Sequence, residues 1–146
     1  MQQIFNILSR ALSIALHPLF IPTYGMMLYM AAMLVRTPSL PSLYINIGII
    51  TTFILTALIP IILMLILWKR GSISSLHIDN ATERTTPYIY TLICFGFWCY
   101  FIGAILKMPF VWLIVAIGAS LALLAVTIIN HWWKISAHLT GIGGLL

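Results

Sequence analysis

The sequence predicts an all-α, multi-pass membrane bundle with four full spans, an interfacial amino-terminal helix and a partial fifth helix. Three observations carry that expectation. Of 146 residues, 62% are hydrophobic and only 6% are charged, where a soluble domain carries about 25% charged residues. The mean hydropathy of +1.12 agrees. The apolar residues also fall into runs of roughly 20, the length of helix that crosses a bilayer core.

The elements follow from run length and breakers. Residues 3–16 set Ile4, Phe5, Ile7, Leu8, Leu12 and Leu16 among Gln3, Asn6, Ser9, Arg10 and Ser13. That is an amphipathic stretch suited to the membrane interface, and His17-Pro18 breaks it. The first span runs from about Leu19 to Val35, with Pro22 near its start, where a missing N–H is tolerated. Arg36 and Thr37-Pro38-Ser39-Leu40-Pro41 end it.

The second span, about Leu43–Trp68, is long enough to tilt, and Pro60 is expected to kink it. Trp68-Lys69-Arg70 marks a water interface. Residues 69–86 form the one sizeable polar loop and hold both acids of the chain, Asp79 and Glu83. The third span is expected over Pro87–Leu106, followed by the turn Lys107-Met108-Pro109. The fourth ends near Ile129, at the interfacial belt Asn130-His131-Trp132-Trp133-Lys134.

Twelve residues follow Lys134, roughly 18 Å of helix at 1.5 Å per residue. A helix from about His131 is therefore a partial one. Its small residues Ala137, Thr140, Gly141 and Gly144 favour close packing on a partner helix. The expectation is a single helical membrane domain over 1–146, the amino-terminal part of a longer bundle. No repeat or linker suggests a second domain, and no signal peptide is expected, since six residues separate Arg10 from His17-Pro18.

Composition excludes a disordered chain, a disulfide scaffold and a soluble nucleic-acid binder. The net charge of +5 rests on seven scattered cations and makes no basic patch. Cys94 and Cys99 lie five apart in an apolar run, on different helix faces, and read as buried thiols without a metal-ligand pattern.

Two polar stretches concentrate the chemistry. Four spans put residues 69–86 and 130–138 on the same side of the membrane, because two crossings separate them. The first stretch contains Asp79-Asn80-Ala81-Thr82-Glu83-Arg84-Thr85-Thr86-Pro87. It reads as a solvated loop with a local ion pair, or as an arginine clamp at a helix start, where guanidinium and free N–H groups both favour an anion. The second contains Lys134-Ile135-Ser136-Ala137-His138. A histidine at the start of a membrane helix is costly unless it meets a partner or a polar cavity. His131 and His138, two turns apart, would need further ligands to hold a metal, so no metal site is expected. His77 reads as a loop residue, and His17 as an anchor of the interfacial helix.

Together these stretches resemble the type 2 phosphatidic acid phosphatase superfamily, whose motifs are K-x6-R-P, P-S-G-H and S-R-x5-H-x3-D. Arg84 with Pro87 is similar to the end of the first motif, with Thr85-Thr86 inserted. Ser136-Ala137-His138 is similar to the second, with Ile135 for proline and Ala137 for glycine. Lys134 and Gly141 match a Lys-Ile-Ser-x-His-x-x-Gly variant of divergent bacterial members. The third motif does not occur in these 146 residues. The likeness covers about residues 69–146, and the His17-Pro18 and Pro22-Thr23-Tyr24 segment also resembles the opening of bacterial envelope proteins of this type.

The resemblance implies a lipid-phosphate phosphatase-like membrane protein that needs no metal or cofactor. In the family a third-motif histidine attacks phosphorus, forming a phosphohistidine that water hydrolyses, while fixed cations and hydrogen-bond donors stabilise charge on the phosphoryl oxygens. Carried onto this chain, Arg84 grips the phosphate and Ser136 donates to it. The backbone N–H of Ala137 and the Lys134 ammonium add to the cradle, and His138 is the general acid. The nucleophile has no candidate, so the chain is expected to be catalytically incomplete. Its partners are membrane lipids and a lipid-phosphate substrate, and the family setting is the bacterial cytoplasmic (inner) membrane.

Two other functions compete. One is a non-enzymatic helical membrane protein whose polar loops are structural or bind a partner. The other is a small transporter subunit, disfavoured because no acid lies inside a span to relay protons or cations. Positive-inside counting puts Arg10, Lys69, Arg70, Arg84 and Lys134 in the cytoplasm against Arg36 and Lys107 outside.

Overall fold

The computed structural model describes residues 17–39, 41–73 and 81–132, and every regular element among them is helical. Helix α1 spans Ile21–Arg36. Helix α2 spans Ser42–Lys69 and contains a π turn at Ile54–Leu58. Helix α3 spans Ala81–Tyr100 and runs into a second π turn at Phe101–Ile105. Helix α4 spans Phe110–Ile129.

Sequence chemistry accounts for the boundaries. Pro22 occupies the first turn of α1, where its fixed φ suits a helix start. His17 closes the turn before it, its Nδ1 accepting the Leu19 N–H at 3.4 Å. Pro41 and Pro109 stand at the N-caps of α2 and α4. The π turn of α2 lies just before Pro60, which has no N–H to give the carbonyl one turn back. The Ile59 N–H bonds Ile54 five residues earlier, so the expected kink takes the form of a widened turn. Gly71 takes φ +71° just after α2, and Lys107 takes φ 48° between α3 and α4.

Among the described residues three helices are long and apolar enough to cross a membrane: Ser42–Lys69, Glu83–Ile105 and Phe110–Ile129. Four full spans were expected, and α1 departs from that expectation. It has 16 residues, about 24 Å of helix at 1.5 Å per residue, short of a bilayer core. It also begins beside the middle of α2: Phe20 stacks on Phe53 at 6.3 Å, and the Thr56 hydroxyl lies 3.3 Å from the Leu19 carbonyl. The third helix differs too. It starts at Ala81, ahead of the expected Pro87, so Arg84 is helical and Pro87 lies inside the helix. Ala81 and Glu83 suit a first turn, the acid by charge. The carbonyl that Pro87 cannot serve lies near the end of the bundle, where lost helix bonds are least costly. The interfacial helix expected over 3–16 and the partial fifth helix lie outside the described residues.

Neighbouring helices run antiparallel. Gly48 of α2 faces Met26 and Met30 of α1, and a Cβ there would come within 2.6 Å of Met108 and 3.0 Å of Met30. Trp98 of α3 donates its indole N–H to the Thr52 hydroxyl of α2 at 3.0 Å. Cys99 of α3 lies 3.3 Å from the Ser120 hydroxyl of α4. The core gathers Met26, Met30, Ile45, Phe95, Trp98, Ile102, Met108, Trp112 and Ala116. Met27, Leu28, Ile62, Phe97, Ile114 and Leu121 point outward and are exposed, as suits side chains that meet lipid.

Candidate functional site

The antiparallel order brings three chain segments to one end of the bundle. From the Thr52–Trp98 bond, α2 rises to Lys69 while α3 descends over the same number of residues to Ala81. From the Cys99–Ser120 contact, α3 descends to Arg84 while α4 continues to Asn130, His131 and Trp132. Lys69-Arg70, Glu83-Arg84 and Asn130-His131-Trp132 therefore share one end, and Arg36 and Lys107 lie at the other. The described parts of the two polar stretches, 69–73 with 81–86 and 130–132, thus lie at the same end of the bundle.

Arg84 is half-buried in the opening turn of α3 and hydrogen-bonds the Tyr88 side chain one turn further on. The guanidinium donates and the phenol oxygen accepts. That bond uses one of five N–H donors and fixes the direction of the planar head. Glu83 is its neighbour and the one acid in the first turn of α3. Lys69 and Arg70 are exposed.

Past Gly71 the chain turns back and buries Ile73, 2% exposed. Asn130 is 1% exposed at the C-cap of α4, its N–H bonded to the Val126 carbonyl at 2.9 Å. His131 meets Trp132 edge to face at 5.5 Å, and Trp132 is exposed as an interfacial tryptophan should be.

Of the residues expected from sequence, Arg84 is therefore at the end where the chain enters the Lys134–His138 stretch. Lys134, Ser136, Ala137 and His138 themselves lie outside the described residues, as do His77, Asp79 and Asn80. Cys94 is buried and Cys99 half-buried, and both are free thiols. Among the described residues no three His, Cys, Asp or Glu side chains gather as a metal site would require.

Sequence reasoning missed a polar layer inside the bundle. The Thr52 hydroxyl donates to the Gly48 carbonyl at 2.8 Å while accepting from Trp98. The Thr56 hydroxyl donates to the Thr52 carbonyl at 2.8 Å. Thr91, Ser120 and Thr127 make the same bond to the carbonyl four residues back, which hides each hydroxyl from lipid. Threonines at spacing four within an apolar run were the available signal.

No family model matches the sequence, and neither the curated proteins nor the solved structures show a significant similarity to it.

Proposed function

We propose that this is a lipid-phosphate phosphatase-like integral membrane protein whose phosphate site lies at the end of the bundle that carries Arg84. One observation supports the reading above others. Arg84, half-buried and helix-borne, stands at the same end as Trp132, two residues before Lys134 in sequence. A guanidinium near a helix N-terminus suits a phosphate, by charge and by the donors of the first turn. Among the described residues three helices are long and apolar enough to cross a membrane, and four crossings remain what this reading expects of the chain. The bacterial cytoplasmic membrane is the setting it implies.

In this reading Arg84 and Lys134 neutralise the phosphate, Ser136 and the Ala137 N–H hydrogen-bond it, and His138 protonates the departing lipid oxygen. A histidine nitrogen would form the bond to phosphorus as the lipid oxygen leaves, and water would then cleave the phosphohistidine. These 146 residues contain no histidine after His138, so the reading assigns no nucleophile within them, and phosphate binding is the property it expects them to show. A non-enzymatic membrane protein is the second reading. The Arg84–Tyr88 bond favours it, because it shows Arg84 held by its own helix.

A paired assay separates the two. The protein in detergent is tested for phosphate release from a phosphorylated lipid and for binding of vanadate, with Arg84→Ala and His138→Ala variants alongside. Weak vanadate binding lost in Arg84→Ala, without turnover, is the expected result. Absence of binding in the parent chain favours the non-enzymatic reading. Robust turnover abolished by His138→Ala would show that the nucleophile has been misplaced.

A further inference from the structure

We propose that the turn His17–Phe20 ahead of α1 lies at mid-bilayer depth, and that it holds a bound water between the Thr23 hydroxyl, the Leu19 carbonyl and the Thr56 hydroxyl. The depth follows from register. Thr56 is at the middle of the 28-residue helix α2, about 20 Å of helix from either end at 1.5 Å per residue. Leu19 meets Thr56, Phe20 stacks on Phe53, and Met26 and Met30 flank Gly48. The non-helical turn His17–Phe20 is thus level with the centre of a membrane-spanning helix. A non-helical turn at that depth exposes backbone polar groups that lipid cannot satisfy, and it is tolerated where protein or water meets them.

The hydrogen-bond inventory points to water. The Thr23 hydroxyl is 5% exposed and has no hydrogen-bond partner. Thr52, Thr56, Thr91 and Thr127 each donate four residues back. Thr23 follows Leu19 by four residues, so the Leu19 carbonyl is the acceptor that the same pattern would give it, and that bond is not made. Thr56 reaches across to that carbonyl at 3.3 Å, yet its single proton is already 2.8 Å from the Thr52 carbonyl.

Pro60 removes a further N–H from the same stretch of α2. The layer is therefore short of donors and holds a desolvated hydroxyl. One water would supply two protons and accept one, and with Thr23, Leu19 and Thr56 it would have the two to four polar partners that a buried water needs. Trp98 closes the layer from α3 through its bond to Thr52. The site is separate from the Arg84 end, and the inference does not rest on the phosphatase reading.

The test uses the full chain in lipid bilayers. Nitroxide labels at Tyr24, Leu58 and Val35, with Cys94 and Cys99 replaced by alanine, report depth by oxygen against nickel-chelate collision. All three sites are exposed. The register sets Tyr24 and Leu58 on either side of the bilayer centre, about 12 Å apart along α2, so the expected result is that both labels lie inside the hydrocarbon core and far deeper than Val35. A Tyr24 label near a headgroup region overturns the depth assignment.

The second arm compares Thr23→Val and Thr23→Ser by reversible denaturation in mixed micelles. A hydroxyl bonded to water predicts that Thr23→Val raises the unfolding equilibrium constant about two- to tenfold, the range of one net hydrogen bond, while Thr23→Ser leaves it near the parent value. A dry, unsatisfied hydroxyl predicts the opposite sign for Thr23→Val, and that outcome, or no change, overturns the water.

Discussion

Trp98 joins three helices through one side chain. Its N–H bonds Thr52 on α2, its ring meets Phe95 on its own helix at 5.7 Å, and Trp112 of α4 stands edge-on at 6.3 Å. It is fully buried. Truncation by Trp98→Ala should cost about 3–5 kcal/mol, the range for a large aromatic lost from a packed core. Trp98→Phe keeps much of the ring and loses the donor, so a cost nearer 1 kcal/mol is expected. Denaturation of the two variants in mixed micelles measures both, and equal costs would mean that the indole bond contributes nothing separable. Lys107 supplies a second test at this scale. Its φ of 48° is a conformation costing a residue with a Cβ roughly 1–2 kcal/mol. Lys107→Gly relieves that strain against its own added chain entropy, so a gain of up to about 1 kcal/mol is expected. A loss of stability in the same assay would show that the Lys107 side chain makes a contact worth more than the strain.

At the scale of elements, the pairing of α3 with α4 fixes which residues share an end. Cys99 and Ser120 provide a direct probe, because their side-chain atoms are 3.3 Å apart. Ser120→Cys should form an intramolecular disulfide with Cys99 under mild oxidation, seen as a mobility shift reversed by reductant. Ser120→Cys combined with Cys99→Ala should not. Failure of the first to cross-link would displace the α3–α4 register and with it the position of Arg84. Much of this architecture was readable from apolar runs and prolines: α2 and α4 fall within two residues of expectation, and Pro22, Pro41 and Pro109 mark helix starts.

What the runs concealed has physical causes. The start of α3 was misplaced because a proline reads as a helix start, while a helix can carry one near its end. The shortness of α1 was hidden because run length says nothing of where a helix begins relative to its neighbour. That took the Leu19–Thr56 and Phe20–Phe53 contacts. The buried threonine layer was missed because a hydroxyl that bonds its own backbone leaves no trace in hydropathy.

At the scale of the whole molecule, most of the described cations gather at one end. Lys69, Arg70, Arg84, His131 and Trp132 gather there, and the sequence continues directly into Lys134, Ser136, Ala137 and His138. Arg84 stands out in the sequence as a candidate and the structure brings it to that end, while the Lys134–His138 stretch is singled out only through its resemblance to a phosphatase motif. The phosphate-site proposal requires that these two stretches meet. The most direct measurement is cross-linking of Arg84→Cys with His138→Cys, with Cys94 and Cys99 replaced by alanine, by a short bifunctional thiol reagent in native-like bilayers. The account predicts rapid intramolecular cross-linking of the two cysteines with the shortest reagents. Cross-linking with only the longest reagents, or none, would separate Arg84 from His138 and contradict the shared phosphate site.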